Sequence, residues 1–216
     1  MKIPPKKIVE AMNWRYAVKR FDPKKKLATS DLEMLLETVR LSPSSLGLMP
    51  YKVLVIANNK KLRQAIYDKA ADQPKVLEAP CLLVFCTYRK FTKAFVDSYI
   101  DLFAKERKLS QERVANLRKA RRAFITDSSA TELDEWAGDQ AFVGLGVLIA
   151  AAASAHIDAG PMGGFKPEIL DKVLNLKKYN LRSRVMCALG YRSATDSESK
   201  QPKVRWPKST FIVNIK

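Results

Sequence analysis

Between Ala141 and Ala155 the chain carries no charged residue and a single polar one, Ser154. The apolar pattern extends back to Leu133 and predicts the longest helix of the protein, from Leu133 to His156. From Ala141 onward that helix is apolar almost all round, so it has no face to offer to water. It must be buried on every side, at the centre of a core or partly against a second subunit. The run is shorter than the roughly 20 residues that a bilayer crossing requires, which favours a core helix over a membrane span. Gly144-x-Gly146 falls inside this helix and lacks a third glycine, so it reads as helix packing and not as a dinucleotide loop.

Other elements must be arranged around that helix. Ile8, Val9 and Met12 predict a first helix from Lys6 to Trp14, and Thr29-Ser30-Asp31 offers N-cap candidates for a second through Arg40, ended by Ser42-Pro43. Tyr51 to Ala57 reads as a strand and Lys60 to Ala70 as a helix. Cys81 to Thr87 reads as a strand buried on both faces, because its apolar run is continuous. A charged helical stretch follows from Phe91 to Ile125, open to two readings: an excursion over the edge of an active site, or a solvated hairpin. A connector and short strand lead from His156 into Pro161, and Lys166-Pro167 opens a helix to Leu174. Arg184 to Leu189 is a core strand, and the alternation of Phe211, Val213 and Ile215 predicts a last one, at an edge or exchanged, over Thr210 to Ile215. Helices and strands interleave without strict beta-alpha-beta periodicity, which indicates an α+β fold. At 216 residues the chain suits one domain, 1–216, with a helical excursion at about 91–127.

The charge balance is unusual: 39 Lys and Arg against 22 Asp and Glu give a formal net charge of +17. Such a field draws nucleic acid, anionic membranes or small anions. The cations are dispersed, without interleaved aromatic platforms or zinc-finger spacing, so nucleic acid is not the expected partner. A non-catalytic basic module that binds nucleic acid or anions is the alternative from another functional class. The three cysteines, Cys81, Cys86 and Cys187, lie in apolar runs; an odd count with no apolar stretch of signal length after Met1 to Lys7 implies reduced thiols in the cytoplasm. No Cys-x-x-Cys occurs and His156 is the only histidine, which disfavours a metal centre and a Ser/His/Asp triad.

Two pairs of cations point to a ligand. Arg15 and Lys19 lie in Trp14-Arg15-Tyr16-Ala17-Val18-Lys19-Arg20-Phe21, just after the first helix, and Lys203 and Arg205 lie in the proline-bounded segment Gln201 to Pro207. An arginine fork and a lysine point charge together suit a phosphate dianion. Four separated motifs, Arg-Tyr-x-x-Lys-x-Phe at 15–21, Ser42-Pro43-Ser44-Ser45 with Pro50 beyond, Pro161-Met162-Gly163-Gly164-Phe165, and Lys203-x-Arg205, resemble the FMN-dependent nitroreductase family in order and spacing. The resemblance runs from about Arg15 to Arg205. The chain departs from the family at Ala17, usually Ser or Thr, at Gly47-Leu48-Met49-Pro50-Tyr51, often Asn-x-Gln-Pro-Trp, and at Gly163, often Glu.

The resemblance implies a mixed, mainly antiparallel sheet flanked by helices, a homodimer, and FMN as cofactor. Arg15, Lys203 and Arg205 would grip the FMN phosphate, while Lys19 and Lys75 would approach the ribityl chain or the N1/O2 edge. Asp72 or Gln73 would contact the ring, and the backbone N–H groups of Gly163 and Gly164 would face N5 and O4. Ser44 and Ser45 would reach the flavin of the partner subunit. Tyr16, Ala17, Pro43, Gly47, Pro161 and Met162 complete the implied contact set. The implied reaction is ping-pong hydride transfer from NADH or NADPH to a nitroaromatic or quinone, centred on the flavin and without a side-chain catalyst. A flavin reductase or a specialised dehydrogenase on the same scaffold is the enzymatic alternative.

Overall fold

The computed structural model describes residues 3–215. Four strands, β1 (Tyr51–Ile56), β2 (Cys81–Tyr88), β3 (Asp158–Met162) and β4 (Leu181–Gly190), form one sheet in the order β1-β2-β4-β3. All three pairings are antiparallel. The continuous apolar run of β2 is explained by cover on both faces. Leu82, Val84 and Cys86, with Met186 and Ala188 of β4, pack beneath Ile66 of α3 (Lys60–Lys69), Val76 of α4 (Lys75–Glu78) and Leu170 of α8 (Pro167–Val173). Leu83 and Phe85, with Val185, Cys187 and Leu189, face Leu35 and Val39 of α2 (Thr29–Arg40) and Leu145 and Leu148 of α7 (Ala130–Ser154). The result is a sheet between two helical layers. Truncating a fully buried residue such as Phe85 to Ala would cost about 3–5 kcal/mol.

The predicted long helix is α7, and its start is set by a capping box: Ser129 Oγ accepts from the Glu132 N–H, while the Glu132 carboxylate accepts from the Ser129 N–H at 2.7 Å. Gly144 sits where the Tyr51 hydroxyl crosses α7, and a Cβ there would lie 2.4 Å from that oxygen. Helix packing is therefore what this glycine serves. The expectation of burial on every side fails within one chain: Phe142 is 50% and Val143 42% exposed, because the sheet covers only one side of α7. By length and composition α7 could cross a membrane, but here it is seated on the sheet.

The first helix, α1, spans Pro5–Trp14. Helix α2 begins at Thr29 with Ala28 in the cap position and no side-chain cap, so Thr29-Ser30-Asp31 forms its first turn and not its cap. The charged stretch after β2 forms two helices, α5 (Lys93–Arg107) and α6 (Gln111–Asp127), around a small core of Val96, Ile100, Ile125 and Leu133. The last strand predicted over 210–215 is absent from the chain's own sheet. A short helix, α9 (Lys208–Phe211), replaces its start, and Phe211, Val213 and Ile215 are all more than three-quarters exposed. An alternating apolar segment forms a strand only where an edge receives it, and within one chain none does.

Candidate cofactor site

At the end of α1 the backbone turns extended at Arg15 and leaves residues 15–20 outside helices and strands, up to an isolated antiparallel bridge between Phe21 and Arg192. A carboxylate from the other end of the chain organises them. The buried Asp196 accepts from the Tyr16 hydroxyl at 3.0 Å, the Lys19 N–H at 2.9 Å and the Arg20 N–H at 3.1 Å. Burial alone would raise the Asp196 pKa; the Arg20, Lys19, Tyr16 and Glu198 donors outweigh it and hold the carboxyl below its ordinary value. Glu78 of α4 accepts from the Phe21 N–H at 3.0 Å and from Arg20 Nε at 2.7 Å. Arg192 pairs with the buried Asp158 and lays its guanidinium over the rings of Trp14 and Tyr16, at 4.3 and 4.6 Å. Asp196, Glu78 and Arg192 were not anticipated from sequence. Nothing in the sequence separates these acids from the other 20, since each acts through a contact far along the chain.

The folded-back end completes a cleft of about 410 Å³ lined by Arg15, Tyr16, Ala17, Lys19, Lys203 and Arg205, among others. Lys203 Nζ donates to the Arg15 carbonyl across 188 positions of sequence. Among the described residues none of Arg15, Lys19, Lys203 and Arg205 forms an ion pair. The cations act on one another instead. Burial and the nearby Arg205 lower the Arg15 pKa, and burial, Arg15, Arg205 and Arg192 lower that of Lys203. Lys75 is buried at the start of α4, where its ammonium donates to the Pro161 carbonyl at 3.2 Å. Burial, aided by repulsion from Lys19, brings its pKa down to about 8. Gly160 makes this approach possible, because a Cβ there would lie 2.7 Å from the Val18 carbonyl oxygen and 3.1 Å from Lys75 Cδ.

Gln73 Nε2 donates to the Gly164 carbonyl at 2.8 Å, whereas the exposed Asp72 stands near the Tyr67 hydroxyl and raises its pKa. Of the two candidates, Gln73 faces the glycine pair and Asp72 turns to the surface. Gly163 has open space where a Cβ would stand. Met162 belongs to the core beneath the sheet, so its buried side chain is not available to a ligand. Pro43, Ser44, Ser45 and Gly47 do not line the cationic cleft. Ser44 Oγ accepts from the Met49 N–H, the Ser45 N–H donates to Gln140 of α7 at 2.7 Å, and Gly47 lies beneath the Tyr99 hydroxyl of α5. The loop has positive φ at Leu46, Gly47 and Met49, and it stands beside the exposed apolar side of α7.

The sequence profile of the nitroreductase family matches residues 12–191, which includes Arg15, Lys75 and the glycine pair but stops short of Lys203. The Bacillus subtilis protein named "Putative NAD(P)H nitroreductase YfkO" is 35% identical over 198 residues, covering 86% of this chain and 88% of that protein. The oxygen-insensitive NAD(P)H nitroreductase of Salmonella typhimurium is 26% identical, covering 96% of this chain and 99% of its own. Among solved structures, Bacillus subtilis ydfN superposes with a TM-score of 0.86 at 19% identity, covering 97% of this chain and 99% of that one. A protein from Exiguobacterium sibiricum solved in complex with FMN gives 0.80 at 17% identity, covering 100% and 99%. With its layered fold and a family profile that matches most of its length, the chain belongs to the nitroreductase family.

Proposed function

We propose that the cleft binds FMN through its phosphate and that the protein is an NAD(P)H-dependent flavin oxidoreductase acting on nitroaromatic or quinone-type acceptors. The observation that carries this reading is the gathering of four cations, Arg15, Lys19, Lys203 and Arg205, none of them ion-paired among the described residues, against one carboxylate, Glu198, in the same cleft wall. A cluster that raises its own electrostatic energy in this way is matched by a dianion. When bound, FMN supplies a ring that accepts hydride and passes it on.

The chain's own residues bind, orient and tune. Arg15, Lys203 and Arg205 hold the phosphate, and Asp196 fixes the segment that presents Arg15 and Lys19. Lys75, held at the Pro161 carbonyl, places a positive charge beside the strand that leads into Gly163 and Gly164. Gln73 fixes the Gly164 peptide and so the direction of the neighbouring N–H groups. Open space at Gly163 leaves room beside the ring for a bulky acceptor.

The working unit in this reading is a homodimer. Phe142 and Val143 on α7, Ile8 and Val9 on α1, and Trp206, Phe211, Val213 and Ile215 near the end of the chain are exposed apolar side chains that a second copy would cover. That arrangement brings the Ser44-Ser45 loop, beside α7, to the partner's cleft. Obligate interfaces of this kind bury about 2,000 Å² or more. The buried thiols Cys81, Cys86 and Cys187, none in a disulfide, fit a cytoplasmic setting.

The test is direct. Purified protein should show the visible absorption of bound FMN, scatter light as a dimer, and sustain oxidation of NADH or NADPH beyond one equivalent per flavin when a quinone or nitroaromatic is supplied. A colourless protein that cannot be reconstituted with FMN would refute the reading.

A further inference from the structure

A second cleft, of about 790 Å³, lies where the 23–32 segment meets the start of α3 and the start of β2. It shares no lining residue with the cationic cleft described above. At its wall stands Arg63, 5% exposed. Nε donates to the Val76 carbonyl at 2.7 Å and Nη1 to the Ala57 carbonyl at 3.4 Å, but Nη2 has no partner. No carboxylate pairs with this guanidinium among the described residues, and burial lowers its pKa. Arginine does not shed its charge in proteins, so it remains a buried cation without a counter-charge.

Lys25, Lys26 and Lys60 line the same cleft. The only acid in its wall, Glu78, is already engaged by Arg20 and by the Phe21 N–H. Leu27, Leu32, Leu77 and Pro80 supply apolar walls, and Thr29, Asn58 and Gln64 supply neutral hydrogen-bonding groups. Concave shape and this volume belong to the range of small-ligand sites. No aromatic side chain lines it, which removes the stacking platform that single-stranded nucleic acid would use.

We propose that this cleft binds an organic phosphate of nucleotide size, with Lys25, Lys26 and Lys60 on the phosphate and Arg63 as the fixed charge behind them. Four cations in the wall of one cleft, beside apolar and neutral polar groups, suit a ligand with an anionic head and a weakly polar body.

The experiment is calorimetric titration of ADP into protein saturated with FMN, with flavin retention read by absorbance in the same sample. One ADP site per chain is expected. Lys25→Glu with Lys60→Glu, both exposed and outside the FMN cleft, should weaken it by about tenfold or more. Lys177→Glu with Lys178→Glu, the same charge change near the start of β4 at the opposite end of the sheet, should leave it unchanged. Absence of binding, full affinity in the Lys25/Lys60 variant, equal loss in the Lys177/Lys178 variant, or inorganic phosphate binding as tightly as ADP would each overturn the proposal.

Discussion

Replacing Lys203 and Arg205 together by alanine tests the phosphate site most directly. Both side chains are exposed, so the fold should survive; Lys203 reaches back to the Arg15 carbonyl, and the two cations border the cleft opposite Arg15 and Lys19. A charge-assisted hydrogen bond is worth about 1.5–3 kcal/mol. Solvent exposure places each contact near the low end of that range. Their loss also relieves repulsion with Arg15 in the free protein, so the two contributions do not simply add. A combined loss of about 2–4 kcal/mol follows, a weakening of FMN binding by roughly 30-fold to 1,000-fold. Quenching of flavin fluorescence on titration measures it. Riboflavin, which lacks the phosphate, should bind the variant and the parent protein alike. An FMN affinity within threefold of the parent's, or a loss shared equally by riboflavin, would refute the assignment.

Lys75, with a pKa brought down to about 8 against an ordinary value of 10.5, is largely neutral at pH 9 in the FMN-free protein; an anion that favours its charged form should then draw in a proton, visible as a buffer-dependent binding heat. Because the folded pKa is depressed, the stability penalty of burying the charge is fully present below about pH 8 and fades as pH rises toward 10.5; substituting Lys75→Met should flatten that part of the stability profile. Asp196→Ala leaves the N–H groups of Lys19 and Arg20 and the Tyr16 hydroxyl without their acceptor and should cost about 2–4 kcal/mol in chemical denaturation, together with weaker FMN binding. Since the Asp196 pKa is lowered by folding, its contribution is present above the ordinary carboxylate range and is lost as pH falls through the folded value. Gly163→Glu fills open space beside the expected ring position with a negative charge and should lower the flavin midpoint potential and slow large quinones selectively; potentiometry giving an unchanged or raised potential would count against it.

What could be read from sequence was what depends on local pattern. The apolar run of β2 announced a strand covered on both faces, and Gly144 inside an apolar helix announced close packing, here against Tyr51. The pairing of Arg15 and Lys19 with Lys203 and Arg205 was legible because similar side chains at both ends suited one dianion. Asp196 was not, because its role rests on two backbone N–H groups about 180 residues away that no side-chain pattern encodes. The 210–215 segment has the alternation of a strand but only a short helix in one chain, since its identity rests on an edge that the chain does not itself provide. For a similar reason the sequence left open whether α7 is covered at the centre of the core or partly by a second subunit, and did not single out Phe142 and Val143: apolar composition shows that a surface seeks cover, not whose surface covers it.

Lys203 and the Arg15 carbonyl that it meets are separated by 188 positions, and this has a consequence for the order of events during synthesis. At about 5–20 residues per second a ribosome needs roughly 10–40 seconds to add the intervening chain. All four described strands precede Lys203, so the pieces of the sheet are made before two of the four cations proposed to hold the phosphate. On the proposed reading, the cleft cannot gather its four cations until Lys203 and Arg205 have been added, and a chain released before them would lack half of the charge that holds the flavin's phosphate.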